Sequence, residues 1–276
     1  MAAVTAGDVI ALLEAWAPPG TAEPWDNVGL QLGHPGQPVR RILVTMDVDA
    51  AAAAEAESWG ADLLVAHHPP IFRPLRALRA DDPAAAVLLR LLRAGTAVYA
   101  AHTNLDRAPG GVSDVLAETL GLAEIQPLPA GPGAAGGEPH AGSPPLGRIG
   151  LLGPALPLAD FALQVRKRLD APFVLRAGDP ERLCRRVAVC GGAGGDLIDA
   201  ARAAGADVFV TGDLKYHQVQ HALLHGLALV DAGHYASERP VLQALARRLS
   251  GALTPRGVEV AVAAAADRFR TPWTVV

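Results

Sequence analysis

Gly60-Ala61-Asp62-Leu63-Leu64-Val65 and Gly205-Ala206-Asp207-Val208-Phe209-Val210 carry one pattern at two places, 205 − 60 = 145 residues apart. A second pair keeps the same offset. Arg41-Ile42-Leu43-Val44 matches Arg186-Val187-Ala188-Val189, since 186 − 41 is again 145. Apolar runs repeated without a gap predict two similar α/β lobes built on one plan.

Around these runs, short apolar segments alternate with Ala- and Leu-rich stretches, the pattern of a mostly parallel sheet covered by helices. The first half offers strands near 41–47, 62–67 and 96–101, with helices at 49–59, 83–93 and 112–120. In the second half, strands near 148–153, 173–176, 186–190, 207–211 and 227–231 alternate with helices near 158–169, 196–204, 215–224 and 238–250. Residues 127–146 are mostly Pro, Gly and Ala and read as a linker. That divides the chain into a first lobe, 1–126, and a second, 147–276. Val98 to Asp106 (VYAAHTNLD) also parallels Val230 to Glu238 (VDAGHYASE) at an offset of 132, pairing His102 with His234 and Asp106 with Glu238. Two lobes with related strand ends predict a metal-binding cleft between them, because ligands in parallel sheets sit at the carboxyl ends of strands.

Composition narrows the class. Half of the 276 residues are hydrophobic and 19% are charged, as in a globular protein. A net charge of −4 and the lack of any Lys/Arg run argue against nucleic acid as the partner. Residues 1–39 hold no Lys or Arg, and no apolar run nears the ~20 residues of a spanning helix, so a cytoplasmic protein without a membrane role is expected. Cys184 and Cys190 are too few for a disulfide framework and read as small buried residues.

His67-His68-Pro69-Pro70 closes the strand over 62–66, and the prolines let both imidazoles stand at its mouth. Two adjacent imidazoles suit two adjacent metal ions. Asp106 lies in the loop after the strand ending at Ala101, while His234 and Glu238 follow the strand over 227–230, where Ser237 can cap a helix with Pro240 in its first turn. Each of these residues alone also fits a cap, turn or surface role. Together, His67, His68, Asp106, His234 and Glu238 form a mixed nitrogen and oxygen donor set for two divalent ions, zinc, iron or manganese. Three neutral imidazoles and two carboxylates leave two positive charges uncompensated on such a pair. That excess favours hydroxide and an anionic small-molecule substrate, hence hydrolysis.

Other residues stand near the same strand ends. Asp47 ends the first strand; Gly212 and Asp213 fall at 67 + 145 and 68 + 145. Lys215 could bind an anion or simply start a helix, and His102 could orient a ligand, bind substrate or brace the loop. Away from those strand ends, in a loop after a helix, Trp25, Asp26 and Asn27 either line the substrate side or brace the fold. The turn Gly191 to Gly195 could cradle an anion or serve only as a tight turn. His217, His221 and His225 share one helix face without a partnering acid, which favours a structural or surface role.

With these residues laid out, the chain resembles the Nif-like di-metal family, commonly labelled GTP cyclohydrolase 1 type 2 homologues. The resemblance rests on Pro24-Trp25-Asp26-Asn27-Val28-Gly29-Leu30, Ala66-His67-His68-Pro69, His102-Thr103-Asn104-Leu105-Asp106, Thr211-Gly212-Asp213-Leu214-Lys215-Tyr216-His217 and Gly233-His234-Tyr235-Ala236-Ser237-Glu238. It implies that His67 and His234 hold one metal, that His68 and Asp106 hold the other, and that Glu238 bridges both. A homohexamer built as a trimer of dimers is implied too, as is opening of a guanine ring by metal-activated water. Some members carry an extra domain between the lobes, where this chain has its Pro/Gly segment. The residues alone specify a hydrolytic centre for a nucleotide or other phosphorylated small molecule and assign no catalytic residue. The alternative is a non-catalytic hexameric metal-binding or protein-interaction scaffold. Five donors for two ions leave coordination positions open, which favours catalysis.

Overall fold

The computed structural model describes residues 3–129 and 144–264. They divide into two compact units, 3–108 with 242–264, and 109–129 with 144–241. The strands, in chain order, are β1 (Gly29–Leu32), β2 (Arg41–Thr45), β3 (Leu63–Ala66), β4 (Ala97–Ala100), β5 (Ala123–Pro127), β6 (Arg148–Pro157), β7 (Leu175–Ala177), β8 (Leu183–Ala193), β9 (Val208–Gly212), β10 (Ala228–Asp231) and β11 (Glu259–Val262). The helices are α1 (Ala6–Trp16), α2 (Ala50–Trp59), α3 (Pro83–Ala94), α4 (Thr103–Arg107), α5 (Val112–Thr119), α6 (Leu158–Arg168), α7 (Ile198–Ala203), α8 (Tyr216–Leu224), α9 (His234–Glu238) and α10 (Pro240–Leu253).

In the first unit the sheet runs β1-β4-β3-β2-β11, and every pairing is parallel except that of β1 with β4. β3 and β4 are buried along their whole length, so the continuous apolar runs that mark them are those of strands covered on both faces. Asp49 caps α2 by accepting from the Ala51 and Ala52 amides, and Asp82 caps α3 with Pro83 at its first position.

The second unit's sheet runs β5-β6-β8-β9-β10-β7. Only β8, β9 and β10 are parallel, whereas β5, β6 and β7 pair antiparallel. The expectation of a mostly parallel sheet therefore holds for the first unit and fails for the second, because apolar patterning locates a strand without giving its direction. Side chains alternate between two cores. Val187, Val189, Val208 and Val210 pack with Phe161 and Leu116, while Ala188, Phe209 and Leu229 pack with Ile198 and Ala222.

The repeat is structural as well as textual. Ile42 pairs with Leu63 and Val187 with Val208, both shifted by 145. The Asp62 carboxylate accepts from the Arg40 and Arg41 amides at 2.7 and 2.9 Å; Asp207 accepts from those of Arg185 and Arg186 at 2.9 and 2.8 Å. The Asp of each Gly-Ala-Asp thus ties its strand start to the neighbouring strand.

The boundaries differ from 126 and 147. β5 pairs with β6, and Leu128 donates to the Gly147 carbonyl, so the segment after Ala108 belongs to the second sheet. At the other end, β11 adds to β2 from Glu259↔Arg41 to Val262↔Val44, returning the chain to the first unit. Of the expected linker, 130–143 lie outside the described residues. Among the described residues, no helix is long and apolar enough to cross a membrane.

Candidate metal centre

The first unit presents its candidate donors just beyond β3 and β4. The ladder continues past β3, with the His67 amide donating to the Thr45 carbonyl at 3.1 Å and that of His68 to Met46 at 2.9 Å. His67 is fully buried and its Nδ1 lies 2.8 Å from the Ala101 carbonyl. A carbonyl only accepts, so Nδ1 carries the proton and Nε2 of the neutral ring keeps its lone pair. His68 Nδ1 lies 2.8 Å from Asp47 Oδ1, and His102 Nδ1 lies 2.8 Å from Asp26 Oδ1. His67, His68 and His102 each bring one ring nitrogen within 4.8 Å of the others, a group that could hold a metal ion. Asp106 joins them, its Oδ1 3.6 Å from His67 Nε2. It sits in α4, not in a loop. The short helix is secured by Asn104, whose side chain accepts from the His102 amide and donates to the Ala17 carbonyl.

Asp26 is the buried support of this arrangement. Its second oxygen accepts from the Thr103 amide and hydroxyl. Burial alone would raise its pKa, but the hydrogen bonds from His102 and Thr103 outweigh it and lower the value to about 2. A depressed carboxylate stabilises the fold above its unfolded pKa of about 3.9 and loses that contribution as pH falls towards 2. Asp26→Ala is therefore expected to lower stability by a constant amount from pH 5 to 8, with the deficit narrowing below about pH 4. Urea midpoints across that range check this, and a deficit that grows on acidification would contradict it.

In the second unit, β9 ends at Gly212, where an added Cβ would lie 2.7 Å from the Gly233 carbonyl carbon and the His234 amide nitrogen. Asp213 follows with φ of 55°, a left-handed conformation that Asp tolerates better than most residues. Its Oδ2 lies 2.8 Å from His234 Nδ1. Asp231 fixes both flanking loops, accepting from the Leu214 and Gly233 amides at 3.0 and 2.9 Å. In α9, His234 Nε2 and Glu238 Oε2 are 3.2 Å apart, one helical turn along.

Glu238 is buried beneath the glycine turn, and that closeness gives the turn its role. The register of β8 against β9 shifts between Val189 and Ala193, a bulge that carries Gly191 and Gly192. A Cβ on Gly192, whose φ is 66°, would fall 2.2 Å from Glu238 Oε1. The Gly192 amide donates to Ser237 Oγ, which donates in turn to the His234 carbonyl. Ser237 thus lies inside α9 as a brace and does not cap the helix that holds Pro240, since α9 runs to Glu238 and α10 begins at Pro240.

One more sequence expectation changes. Strand and helix equivalence between the halves runs at 131, because Ala97 pairs with Leu63 as Ala228 pairs with Val208, and α4 starts at Thr103 as α9 starts at His234. The offset of 132 is one residue out, so Asp106 matches Ser237, and Glu238 matches Arg107. The candidate donors of the two halves are not equivalent positions. Among the described residues, His217, His221 and His225 form no group of three donors: His221 pairs with Asp199, and His225 Nδ1 meets the His221 carbonyl. Lys215 is exposed at the start of α8, where its amide donates to Gln218. Asp231 escaped notice as a site residue, and Gly192 was read only within a turn that could cradle an anion or serve as a tight turn, not as the room for Glu238.

Two sheets with covering helices, and imidazoles backed by carboxylates at their strand ends, define a mixed α/β protein with candidate metal-binding groups. The family model described as Duf34/NIF3 (NGG1p interacting factor 3) matches residues 4–268, and the chain belongs to that family. It is 39% identical to a GTP cyclohydrolase 1 type 2 homolog of Streptomyces coelicolor, over 97% of this chain and 93% of that one. A protein of the same name from Bacillus subtilis is 31% identical, with 90% and 92% covered. Among solved structures, a Bacillus cereus protein related to NIF3 superposes with a TM-score of 0.89 at 26% identity, covering all of both chains.

Proposed function

We propose that His67, His68, Asp106, His234 and Glu238 hold two divalent metal ions, and that this centre hydrolyses a nucleotide or another phosphorylated small molecule. The observation that carries the reading is that His67, His68 and His234 each have Nδ1 engaged at 2.8 Å, by Ala101, Asp47 and Asp213. An imidazole held in this way offers Nε2 to a metal in a fixed orientation, and such outer partners raise its basicity. The donor set also fits borderline divalent ions better than calcium or magnesium, which prefer oxygen alone.

When bound, two divalent ions supply Lewis acidity and bring the pKa of water from 15.7 towards about 7. The chain's own residues then have distinct tasks. Asp47, Asp26 and Asp213 orient imidazoles, Gly192 leaves room for the Glu238 carboxylate, and Asp231 holds the loops that carry Asp213 and His234. Glu238 is the carboxylate that would serve both ions. The name shared by the relatives makes a guanine nucleotide the first substrate to test, and the family resemblance makes a homohexamer the assembly to look for.

Elemental analysis and a turnover screen test this reading. Metal-loaded protein is expected to hold two ions per chain and to turn over at least one nucleotide or phosphoester. Glu238→Gln should fall well below two ions, and His68→Ala should lose activity altogether. Full metal content in Glu238→Gln would refute the bridging role. Two bound ions with no turnover across nucleotides and phosphoesters would replace hydrolysis with a non-catalytic metal-binding scaffold.

A further inference from the structure

The loop from Glu23 to Asn27 is fastened on both sides yet leaves its central indole outside. The Glu23 amide donates to Thr103 Oγ1 at 2.9 Å, and its carboxylate pairs with Arg107. Asp26 is held by Thr103 and His102, and the Asn27 side chain donates to the Ile71 carbonyl. Between these anchors Trp25 remains 59% exposed, and Phe72, next to Ile71, is 44% exposed. Scattered surface aromatics are ordinary, but these two meet. Their ring centroids are 5.9 Å apart at 60°; His102 stands 6.3 Å from Trp25 at 71° and 6.4 Å from Phe72 at 78°. Three rings so steeply tilted form a corner. Its polar wall, His102, lies 5.3 Å from His67 and 5.6 Å from His68.

We propose that Trp25 and Phe72 are the recognition platform for a planar nitrogen heterocycle in the substrate, stacked there with its edge towards His102 and the neighbouring imidazoles. This rests on the reading of His67 and His68 as metal ligands and adds the ring to the substrate's description. Aromatic faces favour offset or edge contacts with another ring, and base stacking on an exposed aromatic is tolerant of which base is bound. An aliphatic occupant would leave the imidazole wall unmatched, whereas the polar edge of a heterocycle meets it. Because Asp26 holds Nδ1 of His102, the opposite ring nitrogen, Nε2, is the one directed away from that anchor. Anchoring on both sides of Trp25 means that little ordering remains to be done on binding.

The test uses the full zinc-loaded chain with guanosine and ribose 5-phosphate as separate probes, read by equilibrium dialysis and ligand-observed NMR. Guanosine is expected to bind saturably. Trp25→Ala and Phe72→Leu should each weaken it roughly five-fold to a hundred-fold, the range for losing one base–aromatic stack, while Trp25→Phe stays within about three-fold. Ribose 5-phosphate should respond to none of the three. Equal guanosine binding in Trp25→Ala would overturn the proposal, as would the absence of saturable binding to the parent protein. A change of oligomeric mass in place of a change in affinity would make the corner a contact between copies and overturn it as well. Turnover plays no part in these readouts, so guanosine bound through Trp25 by a protein that turns over none of the nucleotides and phosphoesters would leave this platform standing and refute only the hydrolase reading.

Discussion

Gly192→Ala is expected to weaken metal binding by about a hundred-fold or more while both sheets stay folded. The added Cβ would lie 2.2 Å from Oε1 and 3.1 Å from Cδ of Glu238, and 3.3 Å from Cε1 of His234. An exposed glutamate would swing aside at little cost, but Glu238 is 3% exposed, so moving its carboxylate disturbs the packing around it. A φ of 66° adds about 1–2 kcal/mol for any residue with a Cβ. A hundred-fold loss corresponds to about 2.7 kcal/mol, within what displacing one charged ligand supplies. Zinc titration against a competing chelator reads the affinity. Gly251→Ala is the control, since a Cβ there meets nothing within 4 Å and alanine suits a helix interior. Zinc affinity unchanged in Gly192→Ala would mean that Glu238 moves freely or holds no metal.

The second large effect belongs to the fold rather than the site. Asp114 of α5 accepts from Arg148 Nε at 2.6 Å and Nη2 at 2.9 Å, a bidentate pair at the start of β6. Arg148 is buried, with Nη1 donating to the Pro145 and Gly147 carbonyls. Asp114→Ala would leave a buried guanidinium without its counter-charge, which costs about 3–5 kcal/mol. Because the chain has two units, a single unfolding midpoint is a poor measure. Native-state hydrogen exchange should instead show protection falling about a hundred-fold or more in β6 and β8, with β2 and β3 little changed. Combining Asp114→Leu with Arg148→Met should recover much of the loss, because well-packed apolar groups replace a buried ion pair at little cost. Uniform loss across both sheets would show that the pair stabilises more than its own unit.

Much of the frame was legible because its causes are local. Apolar runs of four or five residues, Ala- and Leu-rich stretches and the repeated Gly-Ala-Asp pattern placed most strands and helices within two residues. The strands β1, β5 and β11 were missed, since short half-exposed runs such as Glu259 to Val262 have little pattern of their own and exist because a sheet edge awaits them. His67, His68 and Asp47 were named from position and Asp26 from a stretch that carries the family resemblance, but which carboxylate backs which imidazole depends on loops that the sequence places only roughly. The offset of 132 shows how that goes wrong: matching like residues across the halves slid the register by one. On a helix, one residue is a turn of about 100°, enough to aim a different side chain at the same place.

What the sequence alone determined is the repeated α/β plan, the membership of a family and the residue types gathered after the strands. The plan follows from short-range periodicity, and the family from the motif stretches that the chain carries in order. Only the tertiary structure decided that Asp26, Asp47 and Asp213 each hold an imidazole at 2.8 Å. It alone showed the glycine bulge making room for Glu238, and the chain returning at Leu242 to finish the first unit's sheet. Those features come from close approach between segments far apart in the chain, where the absence of a Cβ or the placement of one carboxylate matters, and local pattern carries no record of such distances.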